Sequence, residues 1–180
     1  MGEIKSALEL AMERSKKYPI SEEEKEKIRQ KEILQKASGL FYRYREGHLS
    51  LHEIEREIGR LEDKAREGVK EALLSQWLKS LSLEGDPERI LKGIELIRKR
   101  DFSEVTARFK DLLSEYGKAV DVASQRKRAE LAEALKDAGI EGDAVEPNLN
   151  GNEEWKRMLD STRHSFEGRL EGIRDALKAS

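Results

Sequence analysis

The 180 residues contain no cysteine, which excludes disulfides, thiolate nucleophiles and cysteine-ligated metal centres. There are only three prolines, so most of the chain has nothing to interrupt a helix. No apolar run approaches the roughly 18 residues that a membrane-spanning helix needs. The apolar positions near the N-terminus are broken by Lys5, Glu9 and Glu13, so no signal-peptide core forms. The expected setting is cytoplasmic, without a membrane partner. Neither charge sign dominates: 35 basic residues face 37 acidic ones, for a net charge of −2. A polyanion therefore finds no electrostatic footprint, and nucleic acid is not an expected partner. Also missing are a glycine-rich phosphate loop, a nucleophile motif and any serine–histidine–acid spacing. The sequence names no catalytic residue and no cofactor, and favours a non-enzymatic role.

Charged residues make up 40% of the chain, hydrophobic ones 37% and aromatic ones 6%. Compact domains run nearer a quarter charged, and this excess suits long helices with narrow buried stripes and wide solvated faces. The dominant stretch runs from Ser103 to about Ala138. Val105, Phe109, Leu112, Tyr116, Ala119 and Ala123 recur there at steps of four and three. The stripe slips at Gln125-Arg126-Lys127-Arg128 and resumes, shifted by one position, at Leu131, Leu135 and Ala138. A single helix of this length cannot cover its own stripe and needs other long helices against it.

Other helices follow from local signals. Residues 3–17 read as a short amphipathic helix, able to stand apart from the rest and broken by Pro19. Ser21 with Glu24, and Ser50 with Glu53, have capping-box spacing and each open a helix. The first carries Leu34, Ala37, Phe41 and Tyr44 and ends at Gly47. The second carries Leu51, Ile54, Ile58, Leu61 and Ala65, then Val69, Leu73, Trp77 and Leu81, as one continuous helix. Their short connection dictates an antiparallel hairpin. Asp86 and Pro87 open a shorter helix with Ile90, Ile94 and Ile97 as its buried edge. Residues 139–152 form an ordered loop anchored by Ile140, Val145 and Leu149. A last helix carries Trp155, Leu159, Thr162, Phe166, Leu170, Ile173 and Leu177 on one stripe. The fold class is all-α: a single domain, an elongated bundle of about six helices with long antiparallel coiled-coil-like hairpins.

Candidate chemistry is sparse. His48 and His52 are four apart, the spacing of two ligands on one helix face, and are the only candidate metal pair. Ser50 caps the helix between them, so solvated turn histidines are the plainer reading. The basic triplets Arg98-Lys99-Arg100 and Arg126-Lys127-Arg128 read as solvated faces, because acids flank both. Gly168 and Gly172 form a G-x-x-x-G on a charged helix, and Gly68, on the apolar seam, reads as a hinge.

The segment Ala138-Gly139-Ile140-Glu141-Gly142-Asp143-Ala144-Val145-Glu146-Pro147-Asn148, followed by Glu154-Trp155, resembles the C-terminal part of a group of uncharacterised bacterial all-helical proteins. The resemblance covers about a quarter of the chain and implies a helical fold with no activity attached. The expected function is a helical interaction, adaptor or assembly protein, presenting Phe41, Tyr44, Trp77 and Trp155 to a protein partner or to a second copy as a homodimer. The alternative is a small-ligand site or an enzyme, near Phe41, Tyr42 and Tyr44 or under the 139–152 loop; a third and less favoured reading is weak nucleic-acid association through the basic triplets.

Overall fold

The computed structural model describes residues 21–85, 87–140, 142 and 146–179. The expected helix over 3–17, the cap at Asp86 and the anchor at Val145 lie outside them. Among the described residues the protein is all-α, with six helices: α1 (Glu22–Arg45), α2 (Leu51–Gly59), α3 (Asp63–Ser80), α4 (Glu88–Arg98), α5 (Ser103–Asp137) and α6 (Glu153–Ala179). The chain groups into two compact units divided between Leu73 and Leu74, inside α3.

In the first unit both capping boxes form as the sequence spells them. The Ser21 hydroxyl accepts from the Glu24 amide, the Ser50 hydroxyl from the Glu53 amide, and each glutamate reaches back to its serine's N–H. Helix α1 ends in a left-handed glycine: Gly47 sits at φ 82°, where a side chain is strained, and the His48 amide bonds the Arg43 carbonyl at 2.8 Å. Leu49, just beyond, is buried and fixes the turn into α2.

Three local expectations are corrected here. The buried seam of α1 passes through Ile33, Ala37, Leu40, Phe41 and Tyr44, while Leu34 is 54% exposed. Both 33 and 34 are apolar, and the choice falls to Ile33 because Gly68 leaves room for it: a Cβ on Gly68 would lie 2.8 Å from the Ile33 Cδ1. Gly68 therefore marks a close helix crossing inside unbroken α3, with no hinge at that position. The break comes earlier, between Gly59 and Asp63. There the Arg66 guanidinium donates to the Gly59 and Leu61 carbonyls at 3.3 and 2.9 Å. The apolar spacing runs through the break undisturbed, so periodicity alone shows one helix where there are two.

In the second unit Trp77, Leu81, Leu91, Ile94, Phe102, Phe109, Leu112 and Tyr116 form the core with Leu170, Ile173 and Leu177. On α4 the buried edge is Leu91, Gly93 and Ile94; Ile90 and Ile97 are only half-buried. Gly93 is required because the Trp77 indole lies where its Cβ would go, 2.7 Å from Cζ2. The 35 residues of α5 extend about 52 Å at ~1.5 Å per residue. Helix α6 returns antiparallel along it: Lys127 meets Glu154, Tyr116 meets Phe166, Glu115 meets Arg169. Gly139, at φ 75°, closes α5, with the Ile140 amide on the Leu135 carbonyl. Of the loop anchors, Leu149 is buried and Ile140 is 50% exposed.

Candidate functional site: the distal α5–α6 hairpin

The apolar stripe of the hairpin changes character along its length. At one end Phe109, Leu112, Leu170, Ile173 and Leu177 are all buried. Beyond Tyr116 the same stripe continues through Ala119, Ala123, Leu131 and Leu135 on α5, and through Phe166, Thr162, Leu159 and Trp155 on α6. All of these are only half-buried. Tyr116 and Phe166 mark the changeover, their rings edge to face at 5.5 Å.

One helical residue of the distal half is buried, and it is charged. Lys127 occupies the position four after Ala123 and four before Leu131, which turns the apparent slip of the stripe into a continuous row with a cation in it. Its expected solvated placement is thus corrected. The ammonium donates to Glu154 on α6 at 2.5 Å and to Glu130 at 3.1 Å. Those two bonds, the Glu154 one first, hold the ammonium above its ordinary range against the opposing pull of burial. The Glu130 carboxyl is lowered in return, by Lys127 first and Arg126 next. Glu154 stands in the first turn of α6, where a carboxylate also faces the positive end of the helix dipole. Asn152 caps that turn, its side-chain oxygen accepting the Trp155 amide at 2.8 Å.

Beneath the loop lies a shallow cleft of about 280 Å³, floored by Leu131 and Leu135 and rimmed by Pro147, Asn148, Gly151 and Asn152. No lining residue titrates, and the volume is below the roughly 300–1,000 Å³ of ordinary ligand sites. A second cleft of about 260 Å³ lies beside the α3–α4 loop. Its charged groups are spent on structure. Arg163 pairs with Glu84, which also receives the Tyr116 hydroxyl at 3.5 Å, and Arg174 donates to the Leu81 carbonyl at 2.5 Å. Both arginines strap the loop to α6.

The residues singled out in the sequence are scattered. Phe41, Tyr44 and Trp77 are 7%, 5% and 1% exposed, so they hold the core and offer no face to a partner. Trp155 is half-buried on the hairpin stripe. Tyr42 is exposed, packed edge-on to Phe41 with the Arg45 guanidinium 5.4 Å above its ring. His48 and His52 are both exposed, and among the described residues no three His, Asp or Glu side chains are grouped to hold a metal. The basic triplets are dispersed too. Arg98 donates to the Lys178 carbonyl, Lys127 is buried and Arg126 pairs with Glu130. Among the described residues no helix is long and apolar enough to cross a membrane. No family model, curated protein or solved structure matches the chain.

Proposed function

We propose that the protein is a helical interaction module, an adaptor or assembly factor without chemistry of its own, and that the distal half of the α5–α6 hairpin is its partner-binding face. The observation that carries this is the gradient along one stripe. Leucines and aromatics fully covered near Leu170 become half-exposed from Phe166 to Trp155, which is the surface that an amphipathic helix covers in helix-on-helix recognition. The cytoplasm is its place of work in this reading. The likeness of the 138–155 region to bacterial helical proteins fits such a role and adds no activity to it.

A second copy of the chain is the first partner to test, because cyclic homodimers are the commonest assemblies. Light scattering across micromolar concentrations reads this directly, together with affinity capture from the native cell. Both are run on the parent chain and on a Leu131→Lys/Leu159→Lys variant that retains its helical circular dichroism. The proposal expects a concentration-dependent mass or a captured protein that the variant loses. A fixed single-chain mass, with identical capture by both proteins, overturns it.

The cleft under the 146–152 segment supports a second reading, a small-ligand site with Leu131 and Leu135 as its floor. A thermal-shift screen separates the two, since a ligand selective for the folded state raises the melting temperature.

A further inference from the structure

We propose that Lys127 is the specificity residue of the α5 stripe: it selects, as the helix lying over the distal half of α5, one that brings a carboxylate to the level of Lys127. Among the described residues Lys127 is the one charged residue that is buried, at 5% exposure. It sits in the row Ala123, Lys127, Leu131, Leu135, where every other member is apolar. A leucine there would make the stripe continuous and indifferent to its cover. A lysine has the opposite effect: its side chain is covered, its ammonium is closed over by Glu130 and Glu154, whose own side chains reach solvent, and an opposing helix without a carboxylate at that level leaves the charge half-paired. Single lysines or asparagines in the seams of paired helices restrict pairing in this way, at a cost in stability.

Glu130, three residues along α5, accepts from the ammonium whatever helix lies opposite, so it gives no discrimination. Glu154 comes from α6, and it is the contact that a wrong or slipped helix loses. The packed end of the hairpin, from Phe109 to Tyr116 against Leu170 to Leu177, holds its own register through shape. The distal end has only half-buried small and apolar residues and this one pair. A helix that replaces α6 there, such as α6 of a second copy, meets the same preference. The inference deepens the interaction reading above, but its test needs no partner, so the two can fail separately.

The test uses the full chain, whose lack of cysteine leaves introduced thiols as the only labelling sites. Spin labels at Ala129→Cys and Arg157→Cys report the distal end, and labels at Lys110→Cys and Asp175→Cys report the packed end. All four positions are exposed. In the parent, each pair should give one narrow distance. Lys127→Glu should broaden or lengthen the distal distance and leave the other unchanged, and Lys127→Glu with Glu154→Lys should restore it. Lys127→Leu should keep the chain folded and add distal distances displaced by about one helical turn, ~5.4 Å, or species of higher mass. An unaltered distal distance in Lys127→Glu, no recovery in the double variant, or a Lys127→Leu protein identical to the parent in distance and mass each overturns the proposal.

Discussion

Gly93 lies against the face of Trp77 so closely that a methyl group added to it would fall 2.7 to 2.9 Å from three atoms of the indole. Helix α4 reaches the core through that contact. Gly93→Ala should therefore destabilise the protein by about 1–3 kcal/mol, the usual cost of overpacking a rigid neighbour, despite alanine's better helix propensity. The midpoint of urea unfolding measures it. A midpoint at or above the parent's would mean that the ring yields.

The same substitution should have the opposite sign at Gly117 and Gly168. Both are interior to helices, and nothing lies within 4 Å of a Cβ built at either. Each alanine should raise stability by up to about 1 kcal/mol, the propensity difference alone. Unfolding of the two single variants and their double, which should add, checks this.

The gradient along α6 makes a third prediction. Leu170 is 3% exposed, and Leu170→Ala should cost about 2–5 kcal/mol. Leu159 is half-buried, and Leu159→Ala should cost roughly 1 kcal/mol in the isolated chain, in line with the smaller area withdrawn from water. Equal losses at both positions would show that the distal stripe is covered in solution.

Acidification should weaken the fold through a known set of carboxylates. Glu53 is held below the usual value near 4.5 by the Ser50 amide, and Glu57 by the Lys36 ammonium 2.8 Å away. Glu115 is lowered by Arg169, and Glu130 by Lys127. A carboxyl with a depressed folded-state pKa stabilises above its unfolded pKa and stops doing so as pH falls through the folded one. The loss should thus develop from about pH 5 downward. Glu57→Gln should flatten part of that slope, as read from melting temperatures between about pH 7 and 3.

What could be read from the sequence was local. Ser21, Glu24, Ser50 and Glu53 declare two helix starts, Gly47 and Gly139 two ends, and the spacing from Phe109 to Tyr116 gives α5 its buried side. These signals need only a turn or two of chain. The corner between α2 and α3 escaped because Ile58, Leu61 and Ala65 keep the helical step while Arg66, a residue with no motif around it, draws off two carbonyls. Spacing alone favours Leu34 over Ile33 because the deciding partner, Gly68, is 35 positions away. Lys127 was legible in one respect, since counting four from Ala123 lands on it. Its type pointed to solvent, and only Glu154 on another helix makes the buried place tolerable.

The last turns of α6 act as a foundation course under the second unit. Leu177 has no exposed surface, and the carbonyl of Lys178 receives the Arg98 guanidinium at 2.7 Å. Trimming the polypeptide just before Leu177 would knock out that footing along with the anchorage of α4. A bulky fusion placed directly after it would press on the same stones.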